Sequence, residues 1–197
     1  MAAPPKIGII LGSTRENRFS EKIGRWFFGE LQKQSDIEAR LLDLRDYSLP
    51  FLNTPTAPSD LKGVYPDAAV TRWSKEIASV DGFIIIAPEY NHGYPAVLKN
   101  ALDWLFDEWA RKPVGFLGYG DSGGARSIEQ LRQVVIELKM VPVPRAVRLP
   151  YDLKVALRKA PEPLDPALLA PVQEKTDLFL KEFIEYTQVL KAMRERA

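Results

Sequence analysis

The chain contains no cysteine, which removes disulfides, thiolate nucleophiles and thiolate metal sites together and is compatible with a reducing compartment. Histidine is nearly as scarce. His92 is the only one, so a Ser-His catalytic pair or a multi-histidine metal centre has no other residue to draw on, and no metal is expected. An excess of one charge is also missing: 27 basic and 26 acidic residues give a formal net charge of +1, too little to attract nucleic acid or an anionic membrane. Neither partner is expected. No apolar run approaches the length of a membrane span. The stretch Met1-Ala2-Ala3-Pro4-Pro5-Lys6 lacks the charged start and apolar core of a secretory signal, so a cytoplasmic location is expected. The first candidate strand also lacks the glycine patterns of a dinucleotide fingerprint or a Walker loop after it.

What is present suits one folded unit. Of the 197 residues, 46% are hydrophobic and 27% charged, which is enough to build a core, and a single domain over 1–197 is expected. Residues 6–11 (KIGIIL) and 82–87 (GFIIIA) read as buried parallel strands, the second apolar enough to lie at the sheet centre. Residues 38–44, 114–119 and 145–149 supply three more strands. Helical spacing follows four of the strands. A first helix starts near Ser20, a plausible N-cap, and others cover 67–80, 95–111 and 125–139. A last helix over 165–194 is interrupted or started at Pro171, and the proline-rich stretch 47–66 reads as a long loop. Alternating strands and helices imply an α/β fold, a three-layer α/β/α sandwich of the flavodoxin-like kind with five parallel strands in the order 2-1-3-4-5.

Such sheets bind ligands beyond the carboxyl ends of their strands, which directs attention to three loops. The first, Gly12-Ser13-Thr14-Arg15-Glu16-Asn17-Arg18-Phe19-Ser20, offers hydroxyls, guanidinium groups and the amides of a helix N-terminus, a donor set for the phosphate of a mononucleotide. The second, Pro88-Glu89-Tyr90-Asn91-His92-Gly93-Tyr94-Pro95, gathers aromatic, amide and glycine groups suited to a flat conjugated ring. Glu89 is read as a carboxylate accepting backbone amides, and His92 as a surface or hydrogen-bonding residue, in preference to proton-transfer roles. The third loop, 118–126, is rich in glycine and lets backbone approach a ring closely.

These residues resemble the NADPH-dependent FMN reductase family, which includes flavin, quinone, azo and chromate reductases. The resemblance is carried by Gly12-Ser13-Thr14-Arg15, by Pro88-Glu89-Tyr90-Asn91 continuing through Pro95 to Leu98-Lys99-Asn100-Ala101-Leu102-Asp103-Trp104, and by Gly123-Gly124-Ala125-Arg126 with Leu131-Arg132-Gln133. It extends over residues 6–149. It implies FMN as cofactor, with Ser13, Arg15 and Ser20 on the phosphate and Arg18 and Phe19 beside them. Arg18 stands where the family more often has a small polar residue. Pro88, Glu89, Tyr90, Asn91 and Gly93 line the flavin, and Ser122 and Gly123 close the site.

The resemblance also implies NADPH or NADH as co-substrate and hydride passed via FMN to quinones or similar acceptors, such as azo or nitro compounds or metal oxyanions. The chemistry then resides on the flavin, and no catalytic side chain is assigned. Two alternatives stay open: a flavin reductase supplying reduced FMN to a monooxygenase, and a non-enzymatic flavodoxin-like electron carrier, against which the near-neutral charge and Arg15 argue. A homodimer or homotetramer is expected, with Trp104, Phe106 and Trp109 as candidate interface residues and helix-core packing as the competing reading.

Overall fold

The structure, a computed structural model, describes residues 3–196. Strands β1 (Lys6–Leu11), β2 (Glu38–Asp43), β3 (Gly82–Pro88) and β4 (Pro113–Tyr119) pair in parallel in the order β2-β1-β3-β4. All seven residues of β3 and all seven of β4 are buried, as central strands covered on both faces require.

The fifth position in the sheet is shared. Two short strands, β5 (Val141–Pro142) and β6 (Val147–Leu149), both pair with β4, where a single strand over 145–149 was expected. Pro142 and Pro144 lack the N–H that a continuous ladder needs, so the chain leaves β4 after Val143 and returns at Val147. Arg132 satisfies the carbonyls exposed by this detour, donating to Val143 O at 2.8 Å and Pro144 O at 2.9 Å. The amide of Arg145 turns outward to Glu182.

Helices α1 (Phe19–Gln32), α2 (Ala68–Ser79), α3 (Ala96–Asp103), α4 (Ala125–Glu137), α5 (Tyr151–Lys159) and α6 (Pro166–Glu195) cover the sheet. The side-chain alternation of β3 divides the core: Phe83, Ile85 and Ala87 pack with Trp73, Leu98 and Leu131, whereas Ile84 and Ile86 pack with Phe27, Leu157 and Phe179. Trp104 and Trp109 are 2% and 0% exposed, so both belong to the first core layer and the expectation that they serve an interface is corrected. Phe106 is partly buried against the same layer.

Helix boundaries differ from the periodicity in interpretable ways. Helix α3 stops at Asp103, well short of 111, and Trp109 sits in a separate 3-10 turn (Asp107–Trp109) from which its indole N–H donates to Leu102 O at 3.1 Å. Helix α4 ends before Lys139, whose φ of 58° leaves the helical region. Helix α6 is neither started nor interrupted at Pro171: Asp165 caps it through the Ala167 amide, Pro166 occupies its first position, and Pro171 lies within it. Helix α5 carries only nine residues, four of them apolar, and the sequence reading assigned nothing to this segment.

Candidate cofactor site

The loops after β1, β3 and β4 emerge side by side because the three strands are neighbours in the sheet. The loop after β1 is tied to the others by Ser13, fully buried, whose hydroxyl is 2.6 Å from the Tyr90 hydroxyl. Arg15 is exposed and lies over the Tyr90 ring at 5.6 Å. Arg18 is different. Its guanidinium is buried, donates to Ser13 O at 2.9 Å and pairs with Asp43 at the end of β2, so it holds the loop in place.

Helix α1 begins at Phe19, not Ser20. Arg18 occupies the capping position in extended backbone and gives no side-chain cap, so the amides of the first turn are left for another acceptor. Ser20 therefore sits inside that turn, where its hydroxyl is fully buried next to Tyr119 and makes no hydrogen bond of ordinary geometry among the described residues. Beside it Phe19 and Tyr119 pack edge to face at 5.1 Å. Burial raises the Tyr119 pKa, and the neighbouring Ser20 opposes the shift. Arg15, Glu16, Asn17, Arg18, Phe19, Tyr90, Tyr119 and Arg158 line a small cleft of about 40 Å³.

The loop after β3 is a two-residue turn closed by Tyr90 N–H to Gly93 O at 2.8 Å and Gly93 N–H to Tyr90 O at 3.0 Å. Asn91 (φ 50°) and His92 (φ 68°) are its central residues, both left-handed as in a type I′ turn. His92 is exposed, and its carbonyl accepts from Gln130. Glu89 joins this loop to the next: its carboxylate accepts from the Arg126 amide at 3.2 Å and from the Arg126 guanidinium at 2.5 Å, and the same guanidinium reaches Ser122 Oγ at 2.7 Å. Pro88, at the end of β3, pairs with Tyr119 of β4. Gly123 and Gly124 have φ of 65° and 76°, and a Cβ on Gly124 would lie 2.6 Å from Tyr119 N.

The predicted residues thus form two groups. Ser13, Arg15, Arg18, Phe19 and Ser20 surround the N-terminus of α1, while Pro88, Glu89, Asn91, Gly93, Ser122 and Gly123 occupy the adjoining two loops, with Tyr90 between the groups. Tyr119 and Arg158 join these residues at the cleft, outside the motifs of the family resemblance. Tyr119 carried a signal, since it ends a strand beside a glycine-rich loop; Arg158 carried none.

A doubly wound parallel sheet with an uncapped helix N-terminus and a basic cleft after β1 defines a flavodoxin-like mononucleotide-binding protein. The chain belongs to the NADPH-dependent FMN reductase family, which it matches over residues 5–153, and is accordingly a flavin-dependent NAD(P)H oxidoreductase. It is 34% identical over 195 residues to an NAD(P)H-dependent FMN reductase of Schizosaccharomyces pombe, covering 98% of this chain and 94% of that one. An NAD(P)H:quinone oxidoreductase of Solanum tuberosum is 33% identical over 148 residues, 71% of this chain and 73% of its own. Among solved structures, the flavoenzyme NAD(P)H:(acceptor) oxidoreductase of Paracoccus denitrificans superposes with a TM-score of 0.67 at 22% identity, covering 92% and 98% of the two chains, and shares the fold.

The donors fit FMN. An uncapped helix N-terminus and Arg15, whose guanidinium has no acceptor among the described residues, meet at the cleft, which suits a phosphate monoester. No group of three or more potential metal-ligating side chains occurs among the described residues, and none of the described helices is long and apolar enough to cross a membrane.

Proposed function

We propose that this chain, as one domain over residues 1–197, holds FMN with its phosphate at the α1 N-terminus and its ring between the loops after β3 and β4, and uses it to reduce quinones. The observation that carries the reading is the uncapped start of α1, where Arg18 and Phe19 line one cleft with Arg15 and Arg158. Ser13, Arg15 and Ser20 bind the phosphate together with the first-turn amides, and Arg18 secures the loop that presents them. Phe19 and Tyr119 form an apolar wall that limits water around the anion.

Tyr90, Asn91 and Gly93 border the ring, and the link from Glu89 through Arg126 to Ser122 sets the spacing of the two loops that flank it. FMN, when bound, supplies the hydride chemistry between NAD(P)H and the acceptor. The side chains orient the rings and exclude water, and none serves as a dedicated acid or base. Glu89 is committed to Arg126, and His92 points from an exposed turn. The quinone reductase of Solanum tuberosum supports quinones as the acceptor class. The absence of cysteine accords with work in the cytoplasm, and the exposed apolar side chains Phe51 and Val64 in the loop after β2 accord with a homodimer or homotetramer.

The test uses full-length protein freed of flavin. Arg15→Ala should weaken FMN binding by about tenfold or more, because a charge-assisted contact to the phosphate is lost, and should leave riboflavin binding nearly unchanged. Fluorescence titration measures both. Unchanged FMN affinity would overturn the phosphate assignment.

A further inference from the structure

The phosphate cleft has a wall that comes from outside the segment matched to the family. That match ends at residue 153, and Arg158 lies in the last turn of α5. Helix α5 is fixed at both ends. Lys154 pairs with Asp121 of the loop after β4 at 3.2 Å, and Lys22 of α1 donates to the carbonyls of Leu157 at 3.1 Å and Arg158 at 3.3 Å. Leu157, fully buried, anchors the helix in the core. The backbone of Arg158 is therefore held over the start of α1, while its exposed side chain has no hydrogen-bond or ion-pair partner among the described residues.

The commitments of the neighbouring cations single this residue out. Arg18 is bound to Asp43, Arg25 to Glu21 and Glu162, and Arg45 to the carbonyls of Thr14 and Arg15. Lys22 is occupied by α5. Arg15 and Arg158 remain, on two different elements, lining one cleft together with Glu16, and neither guanidinium is in an ion pair among the described residues. Two like charges so placed repel each other, and a phosphomonoester dianion between them would replace that repulsion by two attractions, set against one repulsion from Glu16. Since α5 is already anchored, forming the contact orders only one side chain.

We propose that Arg158 is a second phosphate-binding arginine, which closes the cleft opposite Arg15 and makes the site select a flavin phosphate over the unphosphorylated flavin. The inference rests on the reading above that FMN places its phosphate at the α1 N-terminus. Arg158 touches the cofactor's phosphate and takes no part in the redox chemistry. The rival role for the residue is that of a solvated helix-end cation that favours the α5 dipole and touches no ligand.

Flavin-free full-length protein is titrated with FMN and with riboflavin by fluorescence quenching, in the native sequence, Arg158→Gln and Arg158→Lys. The expected result is an FMN Kd raised about tenfold or more in Arg158→Gln, partly restored by lysine, with riboflavin binding unaltered. FMN binding should also depend less steeply on salt in Arg158→Gln. FMN affinity that does not change, or an equal loss for both flavins, would overturn the inference; the second outcome would make α5 a structural support only. Failure of the underlying reading has a separate signature, because the native protein would then bind riboflavin as tightly as FMN and Arg15→Ala would be silent. Loss of FMN affinity in Arg15→Ala with a silent Arg158→Gln defeats this inference alone.

Discussion

At Gly124, conformation and space make the same demand. The residue has a φ of 76°, which costs an L side chain about 1–2 kcal/mol, and a Cβ there would press on the backbone of Tyr119 and Gly118. Gly124→Ala should therefore destabilise the protein by about 2 kcal/mol or more, read as a lower urea midpoint with an unchanged m-value. The need for glycine at this loop was legible in the sequence because it follows an apolar strand and precedes a helical pattern. The role of Arg18 was not. Its partner Asp43 is remote in sequence, and only the pairing of β1 with β2 brings that carboxylate beside the loop after β1. Arg158 was illegible for the same reason, since an arginine in a short helix has no local feature that marks it as facing another helix's N-terminus.

Among the elements, α3 does more than cover the sheet. Asn100, 9% exposed, accepts from the Leu52 amide at 2.9 Å and donates to Pro50 O at 2.8 Å, and the Trp104 indole donates to the same carbonyl at 2.7 Å. Asn100 of α3 and Trp104 at its C-terminal cap thus fasten the proline-rich stretch 47–66, which has little regular structure beyond a 3-10 turn (Pro58–Asp60). Asn100→Ala leaves a part-buried amide without its acceptor and should cost about 1–3 kcal/mol. Hydrogen exchange at Leu52 should speed up far more than at the β3 amides; equal acceleration at both would mean that the loss is global and not local. The block from Leu98 to Trp104 was recognisable as a family signature, and its helix was visible from periodicity. What the block is for required the fold, because its contacts lie about fifty residues upstream. The divided fifth strand follows a similar logic: the prolines that break it were in plain view, but the Arg132 contacts that make the break tolerable were not.

For the molecule as a whole, Lys112 links stability to pH. It is 7% exposed, and its ammonium donates to Ile77 O at 2.6 Å and Ala78 O at 3.3 Å at the end of α2. Burial is the main cause that lowers its pKa from 10.5 to about 8; Arg194 adds to the shift, while Asp81 and Glu108 oppose it. Between those values the unfolded chain holds a proton that the folded chain has released, so this residue's contribution to stability rises with pH across that window. The stability of the native protein relative to Lys112→Met should accordingly increase by about 2 kcal/mol between pH 7.5 and pH 9.5. Urea unfolding at several pH values measures it, and a difference that stays flat or falls would contradict the assignment. Strand order and the ligand-binding edge, by contrast, were legible at this scale, because alternating strands and helices leave few topologies open.

The turn formed by Asn91 and His92 has a consequence for how this family can vary. Both positions have left-handed backbone, and the His92 side chain is exposed, so position 92 selects for a tolerated φ and not for an imidazole. Related chains that keep the two-residue turn should carry glycine, asparagine, aspartate or histidine there and avoid valine and isoleucine. The chain's one histidine is then dispensable. Its replacement by glycine would yield an enzyme with no side chain whose ordinary pKa lies between 5 and 8, folded at least as firmly as the original.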